Sequence, residues 1–317
     1  MRVLALVPGS ISEQILFFPT LDDLKQSYPG ATIDVVIEPR AKAAYRLCQA
    51  VNQTISFDFQ DRNSPSDWAN LLGIIRDDYY EVAFSLGSQW RLGLLLWLAG
   101  IPTRVGYAGT AGKLFLTQSV ALKTEQYVAH QYHDLLQGLN IATPCPDLAI
   151  TIPKADLDWA EAERQRLGVQ TSGYVLMHNG SGPAQAIAAA YPGQCWQQIV
   201  QDFQNRQPDL PIVLISGPDD GTWSGDLSPA CPGLKASTPS NLGQLAAMIA
   251  GANLMLCPDS AAMHLAVALK VYTLALFGVT DPKKQLPSSD RFIGIQSPTG
   301  KLADIPPETV LAKVWGE

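Results

Sequence analysis

A chain of 317 residues exceeds one ordinary core, so two α/β domains are expected. With 47% hydrophobic and 16% charged residues it belongs to the folded globular class, and a net charge of -7 argues against a nucleic-acid partner, whose phosphates need Lys and Arg clustered on one face. Five cysteines without a C-x-x-C pair read as reduced thiols, the apolar run Leu92 to Ile101 is about half the ~20 residues of a bilayer span, and no signal-peptide core is recognisable, which together point to a cytoplasmic protein acting on small molecules.

In chain order, the first series of elements reads as a strand over Arg2 to Val7, a helix over Ser12 to Ser27 and a strand over Thr32 to Ile37. A helix over Ala41 to Ala50, a strand over Thr54 to Phe57, a helix over Asp67 to Arg76, a strand over Glu81 to Leu86 and a helix over Gln89 to Ala99 continue it. The prolines at Pro144, Pro146 and Pro153 suit a connection, which places a boundary near residue 152, with domains 1–152 and 153–317. The second series has a helix over Ala155 to Leu167 and strands over Tyr174 to Met177, Pro211 to Ile215, Leu254 to Leu256 and Val271 to Phe277. A last helix over Pro306 to Trp315 is expected to return across the first domain. Alternating strands and helices predict two Rossmann-like parallel-sheet domains, an arrangement shared by periplasmic-binding-type and phosphorylase-type proteins, so the fold alone does not give the function. Neither G-x-G-x-x-G after the first strand nor G-x-x-x-x-G-K-[ST] occurs, which removes the usual markers of NAD and P-loop chemistry.

The most informative segment is Cys257-Pro258-Asp259-Ser260-Ala261-Ala262-Met263-His264, between an apolar strand and an alanine-rich helix. Ser260 stands where an N-cap belongs, the amides behind it suit a diphosphate, Asp259 suits sugar or ribose hydroxyls, and His264 lies one turn into the helix. The same residues equally fit a plain cap followed by a satisfied core histidine.

This segment resembles the D-[TS]-G-P-x-H-x-A signature of glycosyltransferase family 9, the lipopolysaccharide heptosyltransferases. Three further stretches agree in order: Met1 to Leu4 with Pro19 to Leu21 and Tyr28 to Asp34; Val175 to Ser181 with Tyr191-Pro192 and Trp196; and Leu274 to Pro282, similar to A-L-F-G-P-T-D-P. The resemblance spans the chain and implies the GT-B architecture, with the first domain on the acceptor side and the second binding a nucleotide-sugar donor. It implies transfer of a heptose-like sugar to a saccharide or lipopolysaccharide-core acceptor, inverting, with no metal and no cofactor, at most peripherally at the inner face of the membrane. Ser181, Asp259, Ser260, Ala261 and His264 are the implied donor-binding residues.

The family's base lies in an S-x-G-D loop after the first strand, and the matching stretch here is Ser10-Ile11-Ser12-Glu13, which makes Glu13 the expected catalytic base. Ser10 and Glu13 also form the sequence of a capping box, a competing use of the same carboxylate. The sequence departs from the family at Ser12, Ala261, Ala262 and Val279, and has Ala186 to Ala190 where a cation usually precedes the Tyr-Pro pair. Arg40, Arg91 and Lys113 are the expected acceptor-side cations, His130 and His133 lack a third metal ligand, and Trp90, Trp97, Trp196 and Trp315 read as packing residues, with Trp196 near enough to the donor loop to be a sugar platform.

Overall fold

The computed structural model describes residues 1–60, 63–180, 190–216 and 231–317. They form two compact units, Met1–Thr151 and Ile152–Glu317. The first contains, in chain order, β1 (Arg2–Val7), α1 (Ile11–Ser27), β2 (Thr32–Ile37), β3 (Gln53–Ser56), α2 (Pro65–Asp77), β4 (Val82–Ser85), α3 (Trp90–Leu98), β5 (Thr103–Tyr107), β6 (Gln118–Val120) and α4 (Val128–Asp134). The second contains α5 (Lys154–Leu167), β7 (Val175–Met177), α6 (Gly193–Arg206), β8 (Ile212–Ile215), β9 (Lys235–Ser237), α7 (Leu242–Ala250), β10 (Leu254–Pro258), α8 (Ala261–Ala268), β11 (Tyr272–Phe277), α9 (Pro282–Gln285), β12 (Phe292–Gln296) and α10 (Pro307–Trp315).

Each unit holds one six-stranded parallel sheet, in the orders β3-β2-β1-β4-β5-β6 and β12-β11-β10-β7-β8-β9. Counted within its own unit, each sheet has the Rossmann order, with the reversal between β1 and β4 in the first and between β7 and β10 in the second. A parallel sheet needs cover on both faces, so its strands are apolar throughout: Val3 to Val7 and Met255 to Cys257 are all buried. At such a reversal the connections leave on opposite sides of the sheet and open a crevice beyond the carboxyl ends of the two central strands.

Where the apolar run is long, the expected elements hold to within a residue or two. The segment expected as a helix over Ala41 to Ala50 is instead a 3-10 helix over Pro39–Leu47. Its buried Ala41, Ala44 and Leu47 recur every three residues, the repeat at which a 3-10 turn presents one face inward. The strands β6 and β9 escape a sequence reading because Gln118 to Val120 and Lys235 to Ser237 are short, mostly polar edge strands with no apolar run to mark them. α10 packs on α6 and β11 of its own unit, with Val310 fully buried and the Trp315 ring 5.0 Å from that of Phe203.

Opposite the crevice end of the first sheet, a polar cluster fixes the strand starts. Asp34 is fully buried and accepts from Tyr80 Oη (2.8 Å), Asn52 (2.9 Å) and Arg2 (3.3 Å), so its charge is matched by donors from three neighbouring segments.

Candidate functional site

In the first unit, the loops that follow β1 and β4 meet at the reversal: a Cβ added to Gly87 would lie 3.2 Å from Pro8 and 2.4 Å from Leu92. Gly9 has φ +122°, and a Cβ there would lie 3.0 Å from Glu13 Cγ, so glycine lets α1 turn sharply off the strand while Glu13 folds back over it. Glu13 Oε2 accepts from the Ser10 amide (2.8 Å) and the Ser10 hydroxyl (2.5 Å). The capping box is formed, and the expected base is engaged in it. Next to it, Gln14 is fully buried; its amide donates to Val7 O (3.0 Å) and its Oε1 accepts from Tyr45 Oη (2.8 Å), which holds the loop as one hydrogen-bonded body. Burial, reinforced by the negative charge of Glu13, pushes the Tyr132 phenol above its ordinary range.

In the second unit the loops after β7 and β10 also converge. Gly180 has φ +87°, and a Cβ added to it would lie only 3.0 Å from Pro258 Cγ. Ahead of it, His178 is buried and its Nδ1 accepts from the Gly180 amide (3.0 Å), while Trp196 Nε1 donates to Asn179 Oδ1 (2.7 Å). Trp196 is fully buried and edge-on to Tyr191 at 5.2 Å, so it shapes this loop from inside the core and presents no ring face to a sugar.

Asp259 follows β10 with its amide on Leu276 O (3.0 Å), and its Oδ2 accepts from Thr280 Oγ1 (2.6 Å). That bond ties the β10 loop to the β11 loop and brings in Thr280, a member of the Leu274 to Pro282 stretch to which the sequence alone assigns no role. The β11 loop then continues through Asp281, which caps α9 by accepting from the Lys283 amide (2.9 Å), and supplies two lysines, Lys283 and Lys284.

Ser260 occupies the N-cap position of α8, but its side chain makes no cap bond, and its buried Oγ has no partner. The backbone supplies the cap, Ser260 O accepting from the Met263 (3.1 Å) and His264 (3.4 Å) amides, which leaves the Ala261 and Ala262 amides without an intrahelical acceptor. His264 is fully buried with neither ring nitrogen paired, and burial pushes its pKa down to about 4, so the imidazole is neutral at physiological pH. The reading of His264 as a satisfied core histidine is thereby corrected: it is in the core and unsatisfied. Spaced i and i+4, Ser260 and His264 share one side of the helix start, and an unpaired buried polar group costs about 1–3 kcal/mol until something supplies its hydrogen bond.

The remaining expected residues fall on separate segments. Arg40 is exposed and donates to Gln60 (3.0 Å); Arg91 and Lys113 are exposed on α3 and on the turn Ala111–Phe115 that packs against it. His133 Nε2 meets Asp23 Oδ2 at 2.7 Å, with Thr143 on the same carboxylate, so it belongs to a buried pair between α1 and α4. Ser181 and Ala186 to Ala189 lie outside the described residues. Sequence reasoning missed Glu38, fully buried at the end of β2, whose carboxyl is pushed up to about 7 by burial and by the neighbouring carboxylate of Asp58. Among the described residues no group of three or more His, Cys, Asp or Glu converges as a metal site, and no helix is long and apolar enough to cross a membrane.

Known proteins share this arrangement. Glycosyltransferase family 9 (heptosyltransferase) matches over residues 68–314, more than half of the chain. Among relatives, the photosynthetic NDH subunit of subcomplex B 1 of Arabidopsis thaliana is 23% identical over 98% of this chain and 72% of its own, and lipopolysaccharide heptosyltransferase 3 of Escherichia coli K12 is 24% identical over 85% and 80%. Among solved structures, a family 9 glycosyl transferase from Veillonella parvula superimposes with a TM-score of 0.86 at 20% identity over 99% and 96% of the two chains. The E. coli heptosyltransferase WaaC with ADP-2-deoxy-2-fluoro heptose gives 0.77 at 18% over 100% and 99%, and both likenesses show the two-domain GT-B fold. With the family matched across both units and the fold shared from end to end, the chain belongs to glycosyltransferase family 9, the heptosyltransferases, and is a glycosyltransferase.

Proposed function

We propose that this glycosyltransferase moves a heptose-like sugar from a nucleoside-diphosphate donor to a saccharide or lipopolysaccharide-core acceptor, with inversion and without a metal, working peripherally at the inner face of the membrane. The observation that carries the donor side is the start of α8, where Ser260 Oγ and both His264 nitrogens are buried and unpaired beside two helix-end amides. A diphosphate supplies acceptors for the Ser260 hydroxyl, the one N–H of the neutral His264 and the two amides, and a helix N-terminus carries about half an elementary positive charge toward it. The neutral His264 donates a hydrogen bond and adds no charge. Asp259, oriented by Thr280, takes the sugar or ribose hydroxyls, the Ala261 amide and Ser181 share the phosphates, and Lys283 and Lys284 supply positive charge from the β11 loop. The likeness to WaaC makes an ADP-linked heptose the first donor to try.

On the acceptor side, with residues 1–152 as the acceptor domain, Glu13 removes the proton of the attacking hydroxyl. The hydroxyl oxygen bonds to the anomeric carbon as the bond to the diphosphate oxygen breaks on the opposite face, and the electron pair leaves with the nucleoside diphosphate. For this the Glu13 carboxylate has to exchange its Ser10 contacts for the acceptor hydroxyl. Arg40, Arg91 and Lys113 meet the anionic part of the acceptor.

The closed capping box favours a second reading, a member that keeps the donor pocket but transfers weakly and acts as a binding or scaffold subunit; the resemblance to an NDH-complex subunit points the same way. Calorimetric titration with ADP-, GDP- and UDP-linked sugars, repeated on Asp259→Ala, tests the donor site. Saturable binding lost in the variant supports it, and no binding to any nucleotide sugar sinks it.

A further inference from the structure

The first unit carries an outward apolar surface around Arg91 and Lys113, two of the cations proposed for the acceptor side. α3 reads Trp90-Arg91-Leu92-Gly93-Leu94-Leu95-Leu96-Trp97-Leu98; Leu92, Leu95 and Leu96 face the core, yet the opposite side is also apolar, with Trp90 47%, Trp97 53% and Leu98 44% exposed. A helix that only covers a core has a polar outer face. Gly93 lets the turn Ala111–Phe115 seat against α3, since a Cβ there would lie 2.8 Å from Gly112 O. That seating sets Phe115 against the Trp97 ring at 6.1 Å and leaves Leu114 90% exposed beside it. A groove of about 450 Å³ between α2 and α3, lined by Trp68, Leu72, Trp90, Leu94 and Leu98, extends the surface.

Charge is segregated in the same place. Between Glu81 and Glu125 the sequence has no Asp or Glu, but it has Arg91, Arg104, Lys113 and Lys123, in a chain of net charge -7. Arg104 is turned inward onto the carbonyls of Phe115 (2.6 Å) and Ile101, and Lys123 pairs with Asp134 at 3.0 Å. Arg91 and Lys113 stand at the surface among the exposed tryptophans and leucines.

We infer that the α3 face docks onto an anionic lipid surface, with Trp90, Trp97, Leu98 and Leu114 in the headgroup–acyl boundary and Arg91 and Lys113 on the phosphates. Tryptophan beside cations, with no acidic residue on α3 or on the turn Ala111–Phe115, is the composition that sits at a membrane interface, where an amphipathic ring and a long cationic stem each have one end in each phase. The attraction comes from the negative surface of the leaflet, so it is local and sensitive to salt. The inference specifies where peripheral contact is made, and its test uses neither donor nor acceptor, so it fails or stands apart from the transfer reading.

The full chain is floated with phosphatidylcholine vesicles with and without phosphatidylglycerol. Binding to the anionic vesicles, released by salt, is expected, and Lys113→Glu combined with Leu114→Ser, both at exposed positions outside the core, weakens it about tenfold. Leu157→Ser, at a 43% exposed leucine in the second unit, leaves it unchanged. No flotation, equal flotation with neutral vesicles, or flotation that the double variant does not alter overturns the proposal. Self-association lost in the double variant, without flotation, assigns the face to a second copy of the chain instead.

Discussion

Two serines each stand at the head of a helix that leaves a central strand, and their surroundings differ. Ser10, after β1, is matched on every side: its amide and hydroxyl meet Glu13, and its oxygen receives the Ser12 amide at 3.3 Å. Ser260, after β10, has Met263 where Ser10 has Glu13; its hydroxyl is unpaired, and so is His264 behind it. A closed cap stabilises the free protein, whereas an open one holds hydrogen-bonding capacity in reserve for a ligand. On the proposed reading, the first unit has to rearrange to do chemistry, whereas the second is already arranged to bind.

The largest expected effect breaks the comparison at its closed end. Glu13→Gln lowers turnover by roughly 10²- to 10⁴-fold with donor binding retained, because the amide keeps the cap but cannot take a proton. A chain with no turnover before the change, but with donor affinity intact, is instead the weakly transferring relative. Next is Asp259→Ala, which removes both the proposed sugar contact and the tie to Thr280; calorimetry is expected to show donor affinity reduced about a hundredfold, of the order of a hydrogen bond to a charged group together with lost positioning.

Stability sharpens the contrast further. Ser10→Ala is expected to cost about 1 kcal/mol in urea unfolding, the usual worth of an N-cap, whereas Ser260→Ala costs nothing or raises stability while weakening donor binding. A Ser260→Ala loss equal to that of Ser10→Ala would show that the second serine caps its helix after all.

The smallest effect is in the pH profile. His264, depressed to about 4 in the fold, takes a proton more readily when unfolded, so its contribution is present above about pH 6.5 and is lost as the pH falls toward 4. Glu38, raised from 4.5 to about 7, acts in the opposite sense: the fold holds its proton more tightly than the unfolded chain, and stability falls as the pH rises from 4.5 through 7. The two slopes oppose each other between about pH 4.5 and 6.5. Thermal melts of Glu38→Gln are expected to lose the decline toward pH 8, and those of His264→Leu the decline toward pH 4; unchanged profiles would mean that neither group titrates as its burial dictates.

The sequence determined the scaffold, because long apolar runs such as Arg2 to Val7 and Tyr272 to Phe277 have too few polar groups to be anything but buried strands, and the segment from Asp259 to His264 announced a strand-to-helix loop by its chemistry alone. Glu13 was legible both as a base and as a cap, since three-residue spacing satisfies either. Which contacts each side chain makes was decided only in three dimensions. That Glu13 turns back onto Ser10 was settled by the local cap geometry, whereas that Thr280 meets Asp259 across 21 residues and that Glu38 lies against Asp58 depend on which strands are neighbours. Strand order is a property of the assembled sheet: pairing β1 with β4 and β7 with β10 brings together loops far apart in the chain, and the burial that follows, not residue type, leaves Ser260 and His264 without partners.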